Sequence, residues 1–194
     1  MIEAEKQRLR ARIRQLANRN HAADSSPITG VIRGLRHWES ARSVLLFAPI
    51  PGEPDPTGLL SASGEKSFLF PRIEGDDLGL YRWETECRWI TGPYGILEPD
   101  PASWERRSPG DVDLALVPGM AFDPTGGRLG RGRGFYDRLL GDSRFRGIKL
   151  GLAWEWQLLP TVPCGKTDIR MDLVVTERKL HDPASVLDNP RERG

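Results

Sequence analysis

The residues best suited to chemistry in this sequence are arginines set among glycines, Arg128-Leu129-Gly130-Arg131-Gly132-Arg133-Gly134. Glycine lets backbone N–H groups approach an anion with no side chain in the way. Arginine supplies fixed charge and a forked donor that matches phosphate. The stretch follows an apolar run, Asp113-Leu-Ala-Leu-Val-Pro118, and leads into Phe135-Tyr136-Asp137, where a short helix is predicted over Tyr136 to Leu140. A helix start adds unpaired N–H donors and the positive end of a dipole. Strand, glycine-rich loop and helix together outline a phosphate cradle. It is neither of the two commonest ones. There is no G-x-x-x-x-G-K-[ST], and G-x-G-x-x-G fails because Phe135 occupies the last glycine position. A flexible solvated loop is the plainer alternative. An RNA-binding Arg-Gly tract is a second, weakened because two such steps make no repeat and apolar segments flank both sides.

The elements that must position this loop can be read from periodicity. Residues 3 to 19 read as a helix with Leu9, Ile13 and Leu16 on one stripe. At 100° per residue, Lys6 falls beside Ile13 and Arg10 at the rim of the stripe, while Arg8, Arg12 and Arg19 can face water. Pattern alone reads Lys6 and Arg10 as cations with snorkelling stems on a solvated basic helix. Ser26 and Pro27 look like the cap and first residue of a second helix reaching about Trp38. Residues 43–48, 113–118, 147–153 and 171–176 are apolar runs typical of buried strands, and 67–71 and 78–83 read as two more strands. A proline-rich turn at 49–56 carries Glu53 and Asp55, residues 91–110 read as loop, and the chain from His181 onward reads as a loosely packed polar tail. The predicted fold is a single three-layer α/β domain: a mixed, mainly parallel sheet with helices on both faces, the outline shared by sugar-phosphate isomerases and CoA transferases. Its expected limits are residues 1–180, with the tail at 181–194. In such sheets ligands collect beyond the carboxyl ends of strands, here the loops after Ala48, Pro118 and Ala153.

Composition narrows the function. The chain has 194 residues, with 28 basic and 27 acidic residues giving a formal charge of +1. Binding of nucleic acid or anionic membrane by bulk charge is excluded, so any anion site is a local cluster. No stretch approaches the ~20 apolar residues of a membrane span, and the first residues lack the apolar core of a secretory signal. Cys87 and Cys164 form neither a disulfide framework nor a metal quartet, which fits a reducing cytoplasm. A cytoplasmic monomer is expected.

The glycine-arginine segment resembles the signature of the 5-formyltetrahydrofolate cyclo-ligase family, P-G-x-x-F-D-x-x-G-x-R-L-G-[RY]-G-x-G-[YF]-Y-D-R. The matching residues are Pro118, Gly119, Phe122, Asp123, Gly126, Arg128 to Gly132, and Gly134 to Arg138. Other elements of the family follow in order: Lys6-Gln-Arg-Leu9-Arg10, Gly52-Glu53-Pro54-Asp55, Pro71-Arg72, Gly95-Ile96-Leu97-Glu98-Pro99, Gly151 to Gln157, and Asp168 to Asp172. The likeness spans about residues 5 to 177. It departs at Thr167, where family members often carry His, and at Phe135, where Tyr is commoner.

The resemblance implies an ATP- and Mg-dependent ring closure of 5-formyltetrahydrofolate to 5,10-methenyltetrahydrofolate through phosphorylation of the formyl oxygen. No nucleophilic side chain is needed, and neither the cysteines nor the three histidines lie in the motif. It further implies that Lys6, Arg10 and the loop from Arg128 to Tyr136 (Arg128, Leu129, Gly130, Arg131, Gly132, Arg133, Gly134, Phe135, Tyr136) bind ATP. Arg131 and Lys6 would act on the transferring phosphate. Glu53, Ala48 and Arg131 to Tyr136 would contact the folate. Asp137 and Asp168 would bind magnesium. Plainer roles stand beside these: a helix-start carboxylate for Asp137, a turn residue for Asp168, and a turn acid for Glu53. Tyr136, Trp83, Trp154 and Trp156 are candidates for stacking on the pterin or for the core. The alternatives in function are a paralogue with another substrate, an enzyme like the sugar-phosphate isomerases or acyl-CoA transferases, and a nucleic-acid-binding module.

Overall fold

A computed structural model describes residues 1–17, 24–62 and 64–188. The chain opens with α1 (Ile2–Ala17), α2 (Ser26–Arg33), α3 (Arg36–Ser40), β1 (Ser43–Leu45), β2 (Ser67–Glu74) and β3 (Asp77–Arg82). Next come β4 (Trp89–Thr91), β5 (Leu97–Pro99), β6 (Glu105–Arg107), β7 (Leu114–Val117), β8 (Ala121–Phe122) and β9 (Arg128–Leu129). The chain closes with α4 (Phe135–Gly141), β10 (Ile148–Leu152), β11 (Leu173–Val175), β12 (Leu180–His181) and α5 (Pro183–Asp188).

Eight strands form one sheet in the order β12-β11-β10-β7-β1-β2-β3-β6. The five strands from β11 to β2 are parallel, and antiparallel strands complete both edges. Strand alternation sorts the core. Val44, Leu114, Leu116, Leu150 and Phe68 face a layer built by Ile28 and Ile32 of α2 and Trp38 of α3. Leu45, Leu69, Ala115, Val117 and Val174 face the other side, covered by Leu139 and Leu140 of α4. Both faces are buried, which is why these strands read as unbroken apolar runs. The predicted three-layer α/β architecture is therefore observed.

Three local expectations are corrected. The second helix breaks in two. Gly34 and Leu35 donate to Val31 and Ile32 carbonyls in tight turns, and Leu35 turns extended before α3 starts. Ser26 is the first helical residue, not the cap, and its N–H and hydroxyl both donate to Asp24 Oδ1. The span read as loop, 91–110, holds β5, β6 and the last residue of β4, short strands fastened by Trp89, Trp104 and Phe70, whose rings meet edge-on at 4.8–5.9 Å. The tail begins later than expected, because His181 is buried and pairs with Val174 on β11. The expected end of the first helix at residue 19 and the last residues of the tail lie outside the described residues. Among the described residues, no helix is long and apolar enough to cross a membrane.

Candidate functional site

The chain leaves β7 at its carboxyl end and folds into the small hairpin of β8 and β9, which carries Arg128 into the glycine-rich loop. Asp123 builds the hairpin turn. Its Oδ1 accepts from Thr125 N, Thr125 Oγ1 and Gly127 N, and its Oδ2 accepts from Val162 N. Gly126 has φ +83°, and a Cβ there would lie 2.2 Å from the Met171 carbonyl oxygen, so only glycine fits. Helix α1 docks across this hairpin through Ile13, which packs with Met120, Ala121, Leu129 and Val162. The Leu129 side chain is wholly buried in that cluster and supports the loop from below.

Docking α1 this way buries both of its inward cations. Lys6 and Arg10 are each 8% exposed. Lys6 Nζ donates to Asp168 Oδ2, which also accepts from the Gly165 amide. Arg10 Nε donates to the Gly130 carbonyl at 3.0 Å, and its Nη1 to Glu3 at 2.7 Å. The solvated-helix reading of these residues is thereby corrected: their partners lie 162 and 120 residues away, where helical periodicity cannot see them.

Arg128 is buried and donates to Asp137 Oδ1 at 3.0 Å and to the Pro118 carbonyl at 3.3 Å. Asp137 Oδ1 also accepts from Ile169 N at 3.2 Å, which brings Asp137 beside the segment carrying Asp168. Burial opposes charge on Asp168, but hydrogen bonds from Lys6 and Gly165, with the Lys6 and Arg128 charges, hold its carboxyl below the usual range. The second oxygen of each aspartate accepts no hydrogen bond among the described residues. No group of three His, Cys, Asp or Glu side chains forms a cage among the described residues. Two hard carboxylates with spare oxygens suit magnesium, which favours one or two carboxylates together with phosphate oxygens.

Arg131, Gly132 and Arg133 are exposed at the crest of the loop. Gly132 has φ +102°, and a Cβ there would lie 3.4 Å from the Arg10 guanidinium carbon. Gly134 and Phe135 are partly buried where the loop enters α4, and the Arg133 guanidinium lies 5.9 Å from the Phe135 ring centroid. Tyr136 packs beneath the loop, its ring 5.7 Å from the Arg128 guanidinium carbon. Its hydroxyl is buried with no hydrogen-bond partner among the described residues, and burial, reinforced by Glu53, pushes the phenol pKa up.

Glu53 meets this loop from the far side. Its Oε1 accepts from Arg131 Nη2 at 3.0 Å, and its side chain is only 7% exposed. Burial raises its pKa, and the Arg131 charge and hydrogen bond counter that only in part. Glu53 and Arg131 share a cleft of about 320 Å³ with Ile13, Arg14, Trp156 and Gln157. Ala48 is half-buried just beyond β1; the 51–53 turn, not Ala48, forms that wall of the cleft. Of the aromatic candidates only Trp156 lines the cleft. Trp154 is core, and Trp83 packs against the core. Gln157 fixes the floor: its Nε2 donates to the Gly119 and Met120 carbonyls at 3.1 and 3.2 Å, and its Oε1 accepts from Trp154 N. Gln157 closes one of the family elements matched in the sequence but is not singled out there as a site residue, and Arg14 carries no sequence signal of its own.

The model of the 5-formyltetrahydrofolate cyclo-ligase family matches residues 2–177. The chain is 36% identical over 190 residues to the 5-formyltetrahydrofolate cyclo-ligase of Mus musculus, covering 87% of this chain and 90% of that one. It is 39% identical over 147 residues to the enzyme of that name from Escherichia coli K12, covering 72% and 80%. Among solved structures it is similar to the 5,10-methenyltetrahydrofolate synthetase of Aquifex aeolicus, with a TM-score of 0.79, 34% identity and 92% of each chain covered. It also superposes on the synthetase of Mycoplasma pneumoniae with a TM-score of 0.69 at 20% identity, a likeness of fold.

Proposed function

We propose the following reaction for this chain, which belongs to the 5-formyltetrahydrofolate cyclo-ligase family. It is a ligase of folate metabolism that makes 5,10-methenyltetrahydrofolate. In our reading it closes the ring with ATP and magnesium. An N-formyl group is a resonance-stabilised amide and a poor electrophile, and oxide is no leaving group. The formyl oxygen therefore attacks the γ-phosphorus of ATP, the bond to the β-phosphate oxygen breaks, and ADP departs. Nitrogen-10 of the folate then attacks the activated carbon, inorganic phosphate leaves, and the nitrogen-10 proton passes to solvent.

The chain's own residues bind and orient for this chemistry. Lys6 and Arg10 approach the triphosphate from α1, with Arg128 to Tyr136 around it. Arg131 and Arg133, exposed on the crest, carry the charge that meets the transferring phosphate. Glu53 accepts hydrogen bonds from the donor edge of the pterin, as a buried carboxylate is suited to do. Asp137 and Asp168 would hold magnesium, which when bound neutralises phosphate charge. A carboxylate at Glu53 and phosphate-binding cations at the loop, joined through Arg131, would bring formyl oxygen and γ-phosphate together.

The burial of Lys6 and Arg10 against Asp168 and Gly130 carries this reading, because two cations withdrawn from water onto a glycine-rich loop gain little as surface charge. The test is absorbance in the methenyl-folate band with purified protein, 5-formyltetrahydrofolate, ATP and magnesium. A rise that requires all three is expected. No rise from folded protein, or an undiminished rise without ATP, refutes the reading.

A further inference from the structure

Arg138 lies on α4 and has no part in the reaction described above, yet all three nitrogens of its guanidinium are engaged. Nε donates to Asp77 Oδ1 at 3.0 Å and Nη2 donates to the Asp76 carbonyl, so two of the three hold the turn between β2 and β3. Nη1 donates to the Arg133 carbonyl at 3.1 Å, and the guanidinium lies 5.5 Å from the Phe135 ring centroid. The Arg133 carbonyl is a place where the chain needs a brace. Arg133 sits between Gly132 at φ +102° and Gly134 at φ +69°, and glycine leaves the backbone its widest freedom. Among the described residues no other hydrogen bond reaches the Arg133 main chain. The Arg133 side chain is exposed and meets only the Phe135 ring, so it goes where its backbone goes.

We propose that Arg138 is a positioning residue for the phosphate loop: it braces the Arg133 main chain against the β2–β3 turn, so that the Arg133 guanidinium meets the transferring phosphate in one geometry. The proposal rests on the ATP reading of the loop given above. Arg138 is committed to these contacts and acts through Arg133. Its ion pair with Asp77 is open to water, with the two side chains 44% and 73% exposed, and such pairs add little to stability. Geometry is another matter, because a small displacement of a group that acts on the reacting atoms has a large effect on rate. The plainer role for Arg138 is to tie α4 to the turn. That role is indifferent to whether residue 133 carries a charge, and the two are separated on this point.

The experiment measures steady-state ATP kinetics and melting curves for the wild type, Arg138→Gln, Asp77→Asn, Arg133→Gln, the double variant of Arg133→Gln with Arg138→Gln, and Arg144→Gln. Arg144 makes its side-chain bonds only to Asp142, so Arg144→Gln removes the same charge without touching the brace. Arg138→Gln is expected to lower kcat/KM for ATP about ten- to a hundredfold, with a melting temperature lower by no more than about 3 °C. Asp77→Asn should move the same way by less, since the Asp76 carbonyl still holds Arg138. In the Arg133→Gln background the Arg138 substitution should cost about twofold or less, because no charge is left there to misplace. Arg144→Gln should match the wild type. Unchanged ATP kinetics in Arg138→Gln overturns the proposal, as does the same factor of loss in the Arg133→Gln background or an equal loss in Arg144→Gln. If Arg138→Gln does not fold, the cycle is run with Asp77→Asn: a loss that vanishes with Arg133→Gln supports the proposal, and one that persists overturns it. A wild type that cyclises folate equally well without ATP overturns the ATP reading instead, so the two failures are distinct.

Discussion

Arg131 and Glu53, 78 residues apart, join the two halves of the site through one hydrogen bond of 3.0 Å. One partner is half exposed and the other almost wholly buried. In the proposed reaction they serve different substrates, Arg131 the phosphates and Glu53 the pterin. Each substrate must therefore compete with the partner of the residue it needs, and freeing one residue frees the other.

Glu53→Gln should weaken folate binding by about 1–3 kcal/mol, because an amide N–H₂ then faces pterin donors where an acceptor stood. ATP affinity without folate should hold or improve by up to about fivefold, since Arg131 is released from a partly exposed ion pair worth at most about 1 kcal/mol. Calorimetric titration of each ligand measures both. Weaker ATP binding in the variant would count against the division of labour.

The raised pKa of Glu53 gives a pH signature. Folding favours its protonated form, so the favourable contribution is complete below the ordinary value of 4.5 and is lost as pH rises through the raised one. Glu53→Gln should therefore melt higher than the wild type, with a larger margin at pH 7 than at pH 4.5. In activity, kcat/KM for folate should fall as acid protonates Glu53, with an apparent pKa above 4.5 that moves further up in Arg131→Ala. Thermal melts and a pH–rate profile check the two halves.

Lys6→Met should raise the KM for ATP or lower turnover about ten- to a hundredfold, the loss of one charge-assisted phosphate contact of roughly 1.5–3 kcal/mol. Its stability should also carry the mark of Asp168. The lowered pKa of that carboxyl contributes stability above its ordinary value of 3.8, and the contribution is lost as pH falls through the depressed one. The melting difference between wild type and Lys6→Met should be widest near neutrality and narrow below about pH 4. A difference constant over pH 3–7 would show that the pair does not contribute in this way.

Gly126→Ala and Gly132→Ala should fail differently. A Cβ at Gly126 meets the Met171 backbone oxygen, so that variant should not accumulate as folded protein. A Cβ at Gly132 meets only the flexible Arg10 guanidinium, so the cost is mainly the positive φ, about 1 kcal/mol. Gly132→Ala should stay folded and lose ATP affinity. Melting curves and nucleotide titration distinguish them, and equal destabilisation of the two would contradict the geometry.

How far the sequence reveals this molecule depends on the range of the interaction. The strands around Val44, Leu116, Leu150 and Val174 are legible because both faces of a central parallel sheet are buried and every residue must be apolar. The hairpin of β4 and β5 is not, because its strands are three residues long and owe their place to Phe70 and Trp104, distant in sequence. The break at Gly34 escapes notice because Ile28, Ile32 and Trp38 keep an apolar pattern across it. At the site, the glycine-arginine loop declares itself in consecutive residues. Lys6 and Arg10 do not: helical spacing places them at the edge of a buried stripe, and only Asp168 and Gly130 give them a purpose there. Arg14 is an ordinary polar residue until the fold sets it on the cleft, and the family element that ends at Gln157 does not say that its side chain forms the floor.

The docking of α1 has a consequence for the order in which the molecule can be made. During synthesis this helix leaves the ribosome well before Asp168, which holds Lys6 from 162 residues further on. Until Asp168 emerges Lys6 has no carboxylate to meet, and closing so long a loop is entropically costly. A nascent chain still short of Asp168 cannot gain from nucleotide at the proposed ATP site; bound there, ATP would stabilise only a molecule whose α1 has already come back to the segment before β11.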